Sequence, residues 1–378
     1  MRSRGKRRPM PGTRAAAALF AVLVALRAPP WGALDAGEPS AAAADGEPAG
    51  DDARAAEPEE TTSVDAEAIL ARLRTAEETD RGPLVHELSM AGPSAMEPTR
   101  RARDAAEGPL RVSLSRAATW ILARRVTSTL IAGFQSQLTF AGQYLDLRAE
   151  GPEVIDALFV LVIDASTDGR VRLTACRALA DVVDPRLSRM GEAEAFLEGA
   201  RRVTLLQSLR DAYRDVLLPP FLQEEIGIVL AVLGDTQAVD ASLRVLQKQA
   251  ASDDLNESTA AHVELSSLCY RIRDYERALK SYDAVLSVYE RVLAFQTQRG
   301  AARDVIDRVR RELSLHYYNA ACSSTLSGDI ERARGLLRKA VRLDKVHVDN
   351  VEKDGDLLRL RQAPDHAKFV EDLRALGR

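Results

Sequence analysis

Residues 274–278 read Asp-Tyr-Glu-Arg-Ala, and residues 328–333 read Gly-Asp-Ile-Glu-Arg-Ala. An acidic residue suits the first turn of a helix, where the backbone N–H groups have no partner within the helix. The small side chains of Ala278 and Ala333 let two paired helices approach closely, while bulkier neighbours fill the gaps. Since the same arrangement occurs twice, 55 residues apart, the sequence predicts two copies of a helical hairpin.

The flanking residues extend the likeness between the two copies. The positions that carry it are Leu265, Tyr270 and Tyr282 in the first copy, and Tyr317, Asn319, Ala320, Ala321, Leu337 and Ala340 in the second. Over about residues 257–345 this pattern resembles the tetratricopeptide (TPR) repeat family, which implies a helix, a tight turn and a second helix in each copy. That family repeats about every 34 residues, so the two copies here are separated by an insertion. Helical spacing of apolar residues on both sides of Gly300 predicts an elongated hairpin.

The C-terminal stretch 348–376, called the closing segment below, includes Asp354-Gly355-Asp356-Leu357-Leu358 and Pro364-Asp365-His366. It resembles the segment that follows the last TPR unit of a group in bacterial proteins. An exposed last repeat needs a cap over its apolar face. The resemblance therefore implies that the closing segment covers the end of a TPR domain spanning 257–378.

The region 65–250 shows apolar residues at spacings of three and four, without the alternation that is typical of strands. Short breaks interrupt it at Gly92-Pro93, Gly151-Pro152, Asp184-Pro185 and Gly234-Asp235, and such residues close one helix and open the next. The run Asp168 to Leu173, followed by Ala175, Ala178 and Leu179, resembles the HEAT repeat family. We therefore predict an all-α fold, an α-solenoid of helical hairpins with a HEAT-like array at 65–250 followed by TPR repeats. A helical domain of another kind at 65–250 is the alternative.

The N-terminus is typical of an exported protein. Residues 1–14 carry six basic side chains and no acidic one, and an apolar run follows at residues 15–26. We predict a signal peptide at 1–36, cleaved after Ala36, and a disordered acidic linker rich in Ala and Pro at 37–64. The protein is then periplasmic or secreted. An uncleaved signal that anchors the chain in the membrane is the alternative, and it is the only membrane contact that the sequence predicts.

The composition argues against several classes of function. A net charge of −4 supplies no basic field for nucleic acid. The three cysteines, Cys176, Cys269 and Cys322, are far apart in sequence and are predicted to pack in the core. The histidines show no metal-ligand spacing, and nucleotide-binding and nucleophile motifs are absent from the sequence. We therefore expect no enzymatic activity, no cofactor and no metal.

The TPR resemblance also implies a binding surface. In that family the first helix of each unit lines a groove for extended peptides. The corresponding positions are Val263, Glu264, Ser267, Tyr270 and Arg271 in the first copy, and Tyr318, Asn319, Cys322 and Thr325 in the second. By the same resemblance, the Asn319 amide binds the ligand backbone. The predicted partner is an unidentified protein or peptide, and the predicted function is a scaffold or adaptor outside the cytoplasm.

Two other functions remain open. One is a cell-envelope enzyme whose site is assembled from scattered residues such as His262, Glu264 and His316. The other is a structural subunit that self-associates through its HEAT-like face. The sequence does not indicate the oligomeric state.

Overall fold

The protein is described here by a computed structural model that covers residues 65–135, 142–184, 197 and 199–376. Within these ranges every regular element is a helix, so the all-α prediction is confirmed. The signal peptide predicted at 1–36 and the linker predicted at 37–64 lie outside the described residues.

The chain divides into two compact units, and the boundary lies between Thr129 and Leu130. In the first unit, α1 packs against α2 and α3. Asp65 begins α1 by accepting hydrogen bonds from the backbone N–H groups of Glu67 (3.1 Å) and Ala68 (3.2 Å). The helices of this unit are α1 (Ala66–Thr75), α2 (Arg81–Met90), α3 (Met96–Asp104) and α4 (Gly108–Gln135), whose last residues belong to the second unit.

The second unit contains twelve α-helices among its described residues, together with 3₁₀ turns at Leu145–Glu150 and Gly355–Leu357. Seven helices precede the elongated hairpin or form its first half. They are α5 (Val154–Ile163), α6 (Gly169–Val183), α7 (Gly199–Arg214), α8 (Pro220–Val232), α9 (Gln237–Ala250), α10 (Leu255–Arg271) and α11 (Tyr275–Gln298). The remaining five are α12 (Arg303–Ser327), α13 (Ile330–Leu343), α14 (His347–Val351), α15 (Leu358–Arg361) and α16 (His366–Leu376).

The predicted glycine breaks lie where helices or 3₁₀ turns meet. Gly92, Gly151, Gly234 and Gly300 all adopt positive φ, between 68° and 94°, a conformation that costs glycine little because it lacks Cβ. Gly300 separates α11 from α12, whose lengths are 24 and 25 residues. The elongated hairpin predicted around Gly300 is therefore present.

The two hairpins quoted first share one turn and one cap. Asp274 caps α11 by accepting from the Arg277 backbone N–H at 3.1 Å, and Asp329 caps α13 by accepting from the Arg332 N–H at 3.0 Å. The residue before each cap is left-handed, with φ 65° at Arg273 and φ 94° at Gly328. The repeated sequence therefore builds the same local structure twice.

Packing in the second unit follows chain order. α9 packs on α10, α10 on α11, α11 on α12 and α12 on α13. Ala278 and Ala333 are completely buried, as the small residues at the helix crossings predict. The core therefore consists mainly of contacts between helices that are neighbours in sequence.

No single described helix is long and apolar enough to span a bilayer. The pair formed by α8 and α9 passes the length and hydropathy test only when taken together, and it bends by 99°. Ile226, Ile228 and Val229 of α8 are buried inside the protein, which accounts for the apolar composition of that helix.

Candidate functional site

The candidate site is the face formed by α10 and α12, where the predicted groove residues lie. The closing segment crosses this face: the Gly355–Leu357 turn packs against α12. Leu357 and Leu360, which lie in the two elements of the segment that pack against α12, are completely buried. The face is thus covered by residues of the same chain, and two apolar side chains anchor the cover.

Polar contacts join the closing segment to both helices. The Tyr318 hydroxyl of α12 donates to Asp354 Oδ2 at 2.7 Å, and Cys322 Sγ lies 3.7 Å from the same oxygen. From α10, the Tyr270 hydroxyl donates to Asp356 Oδ2. One carboxylate therefore contacts each helix of the predicted groove.

The closing segment holds its own turn in shape. The Asp356 backbone N–H donates to Asp354 Oδ1 at 3.0 Å, and the Arg361 guanidinium donates to the carbonyl oxygens of Asp354 and Val351. The His347 ring stacks on Tyr318, with 4.7 Å between ring centroids. The two carboxylates are therefore presented by a turn that has hydrogen bonds of its own, in addition to its contacts with α10 and α12.

Burial shifts the pKa values of Asp354, Tyr318 and Cys322 in this cluster. It raises the pKa of the Asp354 carboxyl, against the opposing effects of the Tyr318, Asp356 N–H and Cys322 hydrogen bonds. Burial and the neighbouring carboxylates raise the pKa of the Tyr318 hydroxyl and that of the Cys322 thiol well above their usual ranges. Both groups therefore keep their protons at neutral pH and act as donors.

Among the described residues, this cluster also brings together three side chains of types that can bind a metal ion. One ligand atom each from Cys322, Asp354 and Asp356 lies within 4.8 Å of the other two. In this structure Asp354 and Asp356 each accept a hydrogen bond from a tyrosine hydroxyl, and Cys322 Sγ lies 3.7 Å from Asp354 Oδ2. The contacts that the structure shows are therefore those of carboxylates with neutral hydrogen-bond donors.

The nine predicted groove residues divide into four sets. Tyr270, Tyr318 and Cys322 contact the closing segment, and Thr325 is buried with its hydroxyl donating to the Ala321 carbonyl at 3.0 Å. Arg271 turns away and pairs with Glu224 (3.0 Å) and Glu225 (2.7 Å) of α8. The rest lie at the rim, where Glu264 is exposed and Val263, Ser267 and Asn319 are half-buried.

Asn319 remains accessible at this rim. Its side chain makes no hydrogen bond to a described residue, although its backbone carbonyl accepts from the Ser323 hydroxyl at 3.1 Å. An amide in this setting has free donors and acceptors, as the bonding of an extended peptide requires. The ligand role predicted for Asn319 stays a prediction.

The residues of the enzyme alternative are placed differently. His316 is buried beside the Tyr289 ring, 5.0 Å between centroids, and burial lowers its pKa to about 4. His262 is half-buried and Glu264 is exposed. These three side chains do not form a ligand group among the described residues.

The sequence prediction missed a second buried cluster, centred on Arg273. Its guanidinium pairs with Asp181 and, at 3.3 Å, with Asp184, both at the end of α6. Asp181 also accepts from the Tyr144 backbone N–H at 3.2 Å, while Arg148 donates to carbonyl oxygens at the end of the same helix. One signal existed in the sequence: when the two hairpins are aligned, Arg273 occupies the position of Gly328.

Comparisons of the chain with protein-family models, with curated proteins and with solved structures give no match. Function must therefore be argued from the site itself.

Proposed function

We propose that this protein is a non-enzymatic scaffold or adaptor built as an α-solenoid, with HEAT-like hairpins at 65–250 and TPR-like hairpins at 257–378. One observation carries this proposal: the α10–α11 and α12–α13 hairpins repeat the same cap, left-handed residue and buried alanine at an interval of 55 residues. Stacked hairpins that contact mainly their sequence neighbours leave an extended surface, which such proteins use for binding.

The partner surface in this proposal is the rim of the α10 and α12 face. Glu264 and Asn319 occupy equivalent positions of the two hairpins, 55 residues apart. Glu264 is exposed and Asn319 is half-buried, and neither side chain makes a hydrogen bond to a described residue of the closing segment. A protein or peptide lying along the rim would meet both side chains.

Site-specific photocrosslinking tests this function. A photoreactive amino acid is placed at Glu264 or Asn319, and at the exposed Lys280 of α11 as a matched control. We expect a discrete cross-linked partner from an envelope extract at positions 264 and 319 but not at 280, and weaker recovery by the probe at position 264 when Asn319→Ala is added. Cross-links of equal intensity at all three positions, or at none, would contradict the proposal. Light scattering on the same samples separates a partner from a second copy of the chain.

Export is part of the same proposal, because the basic and apolar N-terminus is typical of a signal peptide. Mass analysis of the mature chain after expression in a bacterial host tests it. We expect the mature protein to begin at Gly37 and to be recovered outside the cytoplasm. A full-length chain in the membrane fraction would instead support the anchored alternative.

A further inference from the structure

Two aspartates of the closing segment enter the α10 and α12 face as a peptide ligand would. The Tyr318 hydroxyl donates to Asp354, and the Tyr270 hydroxyl donates to Asp356. The donors are on the groove helices and the acceptors on the crossing segment, so recognition is by charge-assisted hydrogen bonds. Leu357 fills a fully buried position directly after the second aspartate.

These hydrogen bonds contribute more to the specificity of binding than to its net free energy. Removing a carboxylate from water is costly, and the hydrogen bonds that it gains in the protein offset much of that cost. The raised pKa of the Asp354 carboxyl shows that its charged form is disfavoured here. Net affinity therefore comes chiefly from the apolar anchors Leu357 and Leu360, while the aspartates determine which sequence fits.

The stretch 347–361 can leave without releasing the end of the chain. α16 contacts α13 through its own interactions, which include an ion pair between Arg334 and Asp365. The Phe369 ring also lies under the guanidinium groups of Arg334 (5.5 Å) and Arg338 (5.2 Å). These contacts hold the chain that follows the stretch, and α13 holds the chain that precedes it, so departure of the stretch forms a loop whose two ends stay in place.

We infer that the α10 and α12 face is a binding site for acidic peptide segments of the pattern Asp-x-Asp-Leu, and that the closing segment is its resident, autoinhibitory occupant. This inference rests on the proposed scaffold function and specifies the partner of the same surface. A partner bearing this pattern competes with residues 354–357. Binding is therefore limited by the fraction of molecules in which the stretch 347–361 has left the face.

The test uses a fluorescein-labelled peptide with the sequence of residues 347–361, titrated with full-length protein and read by fluorescence anisotropy. In the variant D354A/D356A the resident segment loses both acceptors, and Tyr270 and Tyr318 lose theirs. We expect this variant to bind the peptide at least tenfold more tightly than the unmodified chain. Asp349→Ala, which removes an exposed acid of the same segment, is the matched control and should bind like the unmodified chain.

Two further arms identify the contacts. A peptide with alanine at both aspartate positions should bind the D354A/D356A chain at least tenfold more weakly than the native peptide. Adding Y270F and Y318F to that chain should weaken binding of the native peptide to a similar degree. Equal binding of the two peptides, or no gain in the D354A/D356A chain, overturns the inference.

Folding is checked by circular dichroism. If D354A/D356A loses its helical signal, the turn belongs to the core, and the inference is likewise overturned. If the peptide test fails but specific cross-linking is found at Asn319, the inference of an autoinhibitory segment is wrong and the proposed scaffold function is still supported. If both tests fail, the proposed partner surface is wrong as well.

Discussion

Arg273 is a side chain whose removal should strongly destabilise the second unit. It is 8% exposed and pairs with Asp181 and Asp184, which are 3% and 0% exposed. Its φ of 65° is also unfavourable for a residue with a Cβ. Substitution with glycine therefore has two opposite effects, because it relieves the backbone but leaves two buried carboxylates without this guanidinium.

The two effects can be compared in size. Breaking a buried ion pair by removing one partner costs about 3–5 kcal/mol, whereas relief of one left-handed residue returns about 1 kcal/mol. Arg273→Gly should therefore lose about 2–4 kcal/mol, and Arg273→Ala about 1 kcal/mol more, because alanine keeps the strain. At about 2–4 °C per kcal/mol for a unit of this size, the glycine variant melts roughly 4–16 °C lower.

Thermal melting followed by circular dichroism tests these values, with D181N/D184N as the background that separates charge from packing. In that background Arg273→Gly should cost much less, since no buried carboxylate is left unpaired. The pH dependence has a definite sign. Burial raises the pKa of Asp181 even with Arg273 present, and without Arg273 it rises further, so the variant loses stability as pH increases. A smaller deficit at pH 4.5 than at pH 7.5 is expected. A glycine variant as stable as the unmodified chain would refute this reasoning.

The remaining predictions concern glycine, histidine and cysteine. Gly335→Ala, inside α13 with open space at the added Cβ, should stabilise the chain by about 0.5–1 kcal/mol, whereas Gly328→Ala at φ 94° should destabilise it by about 1 kcal/mol in urea titrations. The pKa of His316, lowered to about 4 by burial, means that stability is lost as pH falls from about 6.5 to 4; His316→Phe should remove up to about 3 kcal/mol of this loss. The three buried thiols should resist alkylation at pH 8 until the chain is unfolded; rapid labelling of the native protein would show that they are accessible.

The parts of the fold that could be predicted from sequence are those that local chemistry determines. Gly151 and Gly234 end helices or turns because glycine tolerates positive φ. Asp274 and Asp329 begin helices because their carboxylates accept free backbone N–H groups. The long hairpin around Gly300 follows from apolar spacing alone. None of these inferences needs information from distant parts of the chain.

The position of the closing segment over the predicted groove could not be predicted from local sequence. The contact between Tyr270 and Asp356 joins residues 86 positions apart, and that between Tyr318 and Asp354 joins residues 36 apart. The sequence indicated a cap at the end of the array, but helical periodicity does not specify which face a cap crosses. Tyr318 and Cys322 were therefore identified as groove residues, while the segment that reaches them was not.

The predicted division between a HEAT-like and a TPR-like region, near residues 250–257, is crossed by buried charge pairs. Arg271 of α10 reaches Glu225 of α8 at 2.7 Å, and Arg273, directly after α10, reaches Asp181 in the last turn of α6. Each pair joins a residue of one predicted region to a residue of the other. Ion pairs also require one geometry, whereas apolar faces tolerate sliding. The pairs therefore fix the position of α10 against α6 and α8, so this helix of the predicted groove is oriented by residues that lie outside the predicted TPR region.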